Sequence, residues 1–255
     1  MAAKQVNLEE AVEIAPGVYW VGFYDGQAAL PCNPYLIMDG EEAALIDPGS
    51  VPHFPVVATK VVSLIRPEHI STIVEQHQDP DLCGALPVFE EVIGADHLRV
   101  AAHSVTVYLI THYGIKSDIY RVDQNDYQLK LRGGRRLRFV HLPNLHAPGT
   151  IATYDEQTRV LFSGDMFGGF AKEWSLYATE ETQEGVRRFH QAVMPCGALL
   201  RRGLARLREL EIDIIAPQHG SVIRKEQVED YFSLLESLDC GWDLQPGGCG
   251  KVAGG

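Results

Sequence analysis

The chain has 255 residues, 45% of them hydrophobic, enough to bury a substantial core as one domain or two small ones. Its formal net charge of -12 argues against general nucleic-acid binding, because polyanions are drawn to basic surfaces. No apolar stretch is long enough to span a bilayer, and residues 1–7 lack the apolar segment of a signal peptide, so a cytoplasmic protein without membrane association is expected.

Residues 1–14 are polar and read as a peripheral N-terminal extension. Residues 17–22 and 34–38 read as strands, and 43–46 pairs with the latter across the Asp39-Gly40 turn. Asp47-Pro48-Gly49 closes that strand, with Asp47 either orienting a ligand or stabilising the turn. Residues 56–65 carry apolar side chains at helical spacing, with Pro67 beyond the end. The β-branched run 70–74 is a buried strand that ends where Glu75-Gln76-His77-Gln78-Asp79-Pro80-Asp81-Leu82-Cys83-Gly84 begins. A helix over about 84–93, a strand over 98–101 and a helix from Ser104 continue an α/β layer pattern.

Strands return as two hairpins, 127–131 with 136–142 and 150–154 with 159–163. Arg132, Arg135, Arg136 and Arg138 flank Gly133-Gly134 and read as a solvated hairpin tip. Residues 166–178 are rich in Gly and aromatics and suit a lid or pocket wall, or equally a cover for the core or a subunit contact. Helices over 182–193, 197–210 and 225–238 and a strand over 212–216 complete a domain spanning 15–240, before a flexible Gly-rich tail over 241–255. Five cysteines, an odd number without a CxxC pair, suit a reducing compartment rather than a disulfide framework or a thiolate zinc site. Cys83, beside the 75–84 loop, either lines a site or is a small buried thiol.

The chemistry concentrates at strand ends. In the 75–84 loop His77, Asp79 and Asp81 alternate, so that one turn can aim an imidazole and two carboxylates at one point, although Asp79 or Asp81 could instead cap the following helix. Three later strands each run into a single potential ligand beside Gly or Pro: His146, Asp165 and His219. Three carboxylates gathered in one cavity repel one another and resist desolvation, a difficulty that two multivalent cations remove, with one carboxylate bridging them. His53, His69, His97, His103, His112 and His190 read as surface or packing residues, and His141 alternates with Phe139 toward the core.

This constellation resembles the metallo-β-lactamase superfamily, whose loop reads HxHxDH followed by distant His, Asp and His, and more closely the diiron domain of flavodiiron proteins. The likeness extends to Asn33-Pro34-Tyr35-Leu36-Ile37, His112-Tyr113-Gly114, Leu145-His146-Ala147-Pro148, the 161–168 segment around Ser163-Gly164-Asp165, and Pro217-Gln218-His219-Gly220, over roughly residues 15–235. It implies a four-layer αββα sandwich, with His77, Asp79 and His146 on a first metal, Asp81 and His219 on a second, and Asp165 bridging, joined by an oxo, hydroxo or dioxygen bridge.

Asp79 stands where relatives often carry Glu or His, and Leu82 where the hydrolases carry a histidine. These changes shift the donor set toward oxygen and favour two iron ions over manganese or zinc. No flavodoxin-like segment follows, so no FMN is expected in this chain.

Three functions follow from the resemblance. The first is a stand-alone diiron protein that binds dioxygen or another small gas as sensor or carrier, with Tyr24, Phe167, Trp174 or Tyr177 walling the gas pocket. The second is an oxygen or nitric oxide reductase fed by a separate electron-donor protein. The third is a binuclear metallohydrolase such as a phosphodiesterase. The resemblance also implies a homodimer, and a signalling partner where the protein is a sensor.

Overall fold

A computed structural model describes residues 6–24, 30–171 and 173–246. Alternation of apolar side chains builds two sheets. The first runs in spatial order β1 (Val12–Ala15), β2 (Val18–Trp20), β3 (Tyr35–Asp39), β4 (Glu42–Ile46), β5 (Ile70–Val74), β6 (Arg99–Ala102) and β7 (Asp118–Arg121). It is an antiparallel meander through β4, then parallel from β4 to β7. Helices α1 (Phe54–Leu64), α2 (Pro80–Cys83), α3 (Leu86–Ile93) and α4 (Ser104–Ile110) connect its parallel strands.

The second sheet contains β8 (Gln128–Lys130), β9 (Arg136–His141), β10 (Ile151–Asp155), β11 (Val160–Phe162), β12 (Ile214–Ala216) and β13 (Ile223–Arg224). Its order is β13-β12-β11-β10-β9-β8, with β11 and β12 parallel. Helices α5 (Thr182–Val193), α6 (Gly197–Leu207) and α7 (Lys225–Glu236) belong to this half.

The period of two along each strand sorts the side chains into three cores. Ile37, Ile46, Val74 and Ala101 meet Leu137, Phe139, Ile151 and Phe162 between the sheets. Leu36, Leu45, Ile73 and Val100 face α1, α3 and α4 on one outer side, and Ala152, Leu161 and Ile215 face α5 to α7 on the other. The result is the expected αββα sandwich.

Several local expectations change. Val12–Ala15 pairs with β2, so sheet pairing starts inside the stretch read as a peripheral extension. Residues 1–5 lie outside the described residues. The helix expected over about 84–93 is α3, which starts at Leu86, and a separate one-turn helix, α2, precedes it inside the 75–84 loop; Pro87 lacks the N–H with which a helix running through from α2 would bond. Residues 241–244, placed in the flexible tail, form a 3₁₀ turn held by the Trp242 N–H on Pro195 O at 2.9 Å; residues 247–255 lie outside the described residues.

Arg135 is not part of a solvated tip. It is buried, donates from Nε and Nη2 to both Asp155 oxygens at 3.0 and 2.6 Å, and reaches Met38 O of the first sheet at 2.9 Å. Arg132, Arg136 and Arg138 are exposed as expected.

Candidate metal centre

The 75–84 loop emerges from the carboxyl end of β5, in the middle of the parallel part of the first sheet, where loops of α/β sheets commonly carry function. It is pinned by a residue that the sequence reading passed over. Gln76 donates through N and Nε2 to the Asp47 carboxylate at 2.9 and 2.7 Å, while its own Oε1 accepts the Thr153 N–H at 2.9 Å. One amide thus joins β10 to the turn after β4. Asp47, buried and at positive φ, supports the loop rather than entering the ligand cluster; burial pushes its carboxyl up to about 7.

Asp79 occupies the N-cap position of α2, but its side chain makes no cap hydrogen bond. The carboxylate turns instead toward His146, with Oδ2 at 3.1 Å from His146 Nε2 and 3.6 Å from His77 Nε2. His146 sits on the loop after β9, and Asp165 follows β11 through Gly164 at φ +58°. His219 follows β12 and precedes Gly220, whose φ of +82° and close approach to Gly169 N leave no room for a Cβ. The His219 Nδ1–H donates to Pro31 O at 2.9 Å, which directs Nε2 inward.

The six residues converge as two groups that share Asp165. Its Oδ2 lies 2.8 Å from His146 Nε2 and 3.7 Å from His77 Nε2; its Oδ1 lies 3.5 Å from His219 Nε2, which is also 3.2 Å from Asp81 Oδ2. Possible ligand atoms of His77, Asp79 and His146 all fall within 4.8 Å of one another, and so do those of Cys32, Asp81 and His219. Cys32 was not foreseen; its Sγ lies 4.0 Å from His219 Nδ1, and a thiol 187 positions away in sequence carries no local signal.

Charge supports a cation site. Hydrogen bonding to Asp165 and then Asp79 pushes His146 up to about 10. Burial raises Asp165, but His77, His146 and His219 outweigh it and hold the carboxyl well below the usual range. Buried Asp165 Oδ1 and His77 Nδ1 have no hydrogen-bond partner. A carboxylate whose Oδ1 has no donor, with His219 Nε2 at 3.5 Å, and whose Oδ2 meets His146 Nε2 at 2.8 Å fits a metal pair: cations would take the places that protons fill without them.

The surroundings differ from the aromatic wall expected. Phe167 is fully buried against Phe232 in the helix-side core, 5.0 Å between rings, and Tyr177 lies under the Arg224 guanidinium. The ring beside His219 is Phe189, at 5.6 Å. Phe170 and Trp174 do line a cleft, of about 770 Å³, which reaches Gly220 beside His219 but is lined by none of the six converging residues. Cys83 is buried and donates to the Gln78 and Asp79 carbonyls at 3.1 Å, buttressing the loop from behind. His141 stacks on His103 at 4.2 Å instead of entering the core.

The same architecture recurs in known proteins. The peroxy diiron species of the chemotaxis sensor ODP superposes with a TM-score of 0.76 at 24% identity, covering 91% of this chain and 96% of the sensor. The flavodiiron protein of Giardia intestinalis gives a TM-score of 0.81 at 23% identity, covering 92% of this chain and 59% of that one. The nitric oxide reductase of Moorella thermoacetica is 26% identical over 239 residues, 86% of this chain and 59% of the reductase. The chain spans 33–59% of the length of the first curated relatives it matches. The family model described as ODP family beta lactamase matches residues 30–220, a span that runs from the approach to β3 through all six converging residues, and the chain therefore belongs to that family.

Proposed function

We propose that this protein is a non-heme diiron protein that binds dioxygen, as a sensor or carrier. The observation that carries the reading is the division of the Asp165 carboxylate, with Oδ2 toward His77 and His146 and Oδ1 toward His219. His77, Asp79, His146 and Asp165 Oδ2 would hold one iron; Asp81, His219 and Asp165 Oδ1 would hold the other. An iron pair bound there supplies electrons and open coordination positions for a small gas. Asp165 would be shared by the two ions, and the hydrogen bond from His219 to Pro31 O fixes the ring that would face the second. Leu82 adds no donor, which leaves that ion fewer protein ligands. Dioxygen is favoured as ligand because the sensor ODP, known as a peroxy diiron species, is matched over 96% of its chain.

A second reading, reduction of oxygen or nitric oxide with electrons from a separate donor protein, is favoured by the relative described as a nitric oxide reductase. The family likeness further supports a homodimer, and the absence of any disulfide among the described cysteines accords with a cytoplasmic location. The test is elemental analysis of protein purified without air, then absorption spectra before and after oxygen. Two irons per chain and one stable oxygenated spectrum are expected. Steady gas consumption on adding a reduced flavoprotein or rubredoxin would favour the reductase, and a chain holding zinc with rapid ester or phosphodiester turnover would overturn the reading.

A further inference from the structure

The two halves of the centre are unequal in nitrogen donors. The first offers the imidazoles of His77 and His146; the second offers His219 alone, since Leu82 occupies the position where hydrolases of this fold carry another histidine. The structure brings a different donor to that side. Cys32 Sγ, a carboxylate oxygen of Asp81 and a ring nitrogen of His219 lie mutually within 4.8 Å. The thiol is buried, and Asp165 Oδ1, the acceptor facing the same side, is buried without a hydrogen-bond partner.

The placement of Cys32 is built into the fold. The preceding residue takes the His219 Nδ1–H on its carbonyl, and Cys32 itself bridges to Phe23. The following residue, Asn33, donates its N–H to Gln218 O at 2.9 Å and its side-chain amide to Pro217 O and Gly220 O at 3.0 and 2.9 Å. The backbone on both sides of the thiol is therefore fastened to the 217–220 loop, so Cys32 and His219 move as one unit. Besides the long contacts to His219 Nδ1 at 4.0 Å and Leu30 O at 3.9 Å, Sγ also meets the His53 side chain.

We propose that Cys32 supplies a thiolate donor to the second metal, taking the part of the imidazole absent at position 82. This rests on the paired-metal reading above. On binding, a metal–sulfur bond forms, the thiol proton passes to solvent and one water leaves the cation. A sulfur donor makes the second position softer than the first, so it selects iron(II), cobalt(II) or zinc over manganese or magnesium, and gives the two positions different affinities and spectra.

Cobalt(II) is the probe. Metal-free protein titrated without air should take up two equivalents, with a near-ultraviolet sulfur-to-cobalt charge-transfer band that grows with only one of them. X-ray absorption of the loaded protein should show a sulfur shell at about 2.3 Å. Cys32→Ser should still bind two equivalents but lose the band and the sulfur shell, with one of the two bound at least about tenfold more weakly. Cys83→Ser should keep both signals.

Two equivalents bound by the wild-type chain with neither band nor sulfur shell would overturn the assignment of Cys32 and leave the metal pair standing. Uptake of fewer than two equivalents by the wild-type chain would overturn both. Should Cys32→Ser fail to fold, the wild-type band and sulfur shell, set against those of Cys83→Ser, still decide the question.

Discussion

His190 holds the turn that carries Asp165, and its protonation should set the acid stability of the fold. On α5 it is fully buried; its Nδ1–H donates to Val186 O at 2.8 Å and its Nε2 accepts the Phe167 N–H at 3.1 Å. Both ring nitrogens are used, and the second bond requires a neutral ring. Burial is the main cause that pushes the imidazole down to about 4, against about 6.5 in an unfolded chain. Between those values the unfolded chain binds the extra proton and the folded one does not, so stability rises with pH across that window. The difference corresponds to about 3 kcal/mol gained on going from about pH 4 to about pH 7. His190→Gln can offer the same donor and acceptor without titrating. Urea unfolding of both metal-free proteins at the two pH values should show the wild type losing about 3 kcal/mol more than the variant on acidification. Parallel losses in the two proteins would refute the reasoning.

Asp155→Ala should strand the buried Arg135 charge and cost about 3–5 kcal/mol in denaturant unfolding, with the metal content of the folded protein unchanged. Asp165→Ala or His146→Ala should lose at least one metal per chain while circular dichroism stays native; full occupancy in either variant, by elemental analysis, would count against the ligand assignment. Because Asp165 and Asp79 raise His146 to about 10, the metal-free imidazole is protonated near neutral pH, and loading must displace that proton. Calorimetry in buffers of different ionisation enthalpy should therefore detect proton release on metal binding and an affinity that falls as pH falls; pH-independent binding without release would contradict the charge argument.

The six converging residues were legible in the sequence because each carries a local mark: an apolar, often β-branched strand that stops at a His or Asp beside Gly, Pro or a second acid. Strand periodicity likewise announced the individual strands and an α/β layer pattern, since alternate residues must face opposite layers whatever their partners, while the four-layer sandwich was implied by the family resemblance. Tertiary structure decided what depends on residues far apart in the chain. Only packing of β9 and β10 against the first sheet buries Arg135 on Asp155, turning an apparently solvated charge into an internal ion pair. Only the same contact between sheets lets Gln76 bond Asp47 and Thr153 together. The division of the Asp165 carboxylate and the arrival of Cys32 at His219 depend on how loops from both sheets meet at one end of the sandwich. Hydrophobic spacing along a strand reports its own two faces; it carries no information about which distant side chain will stand across from them.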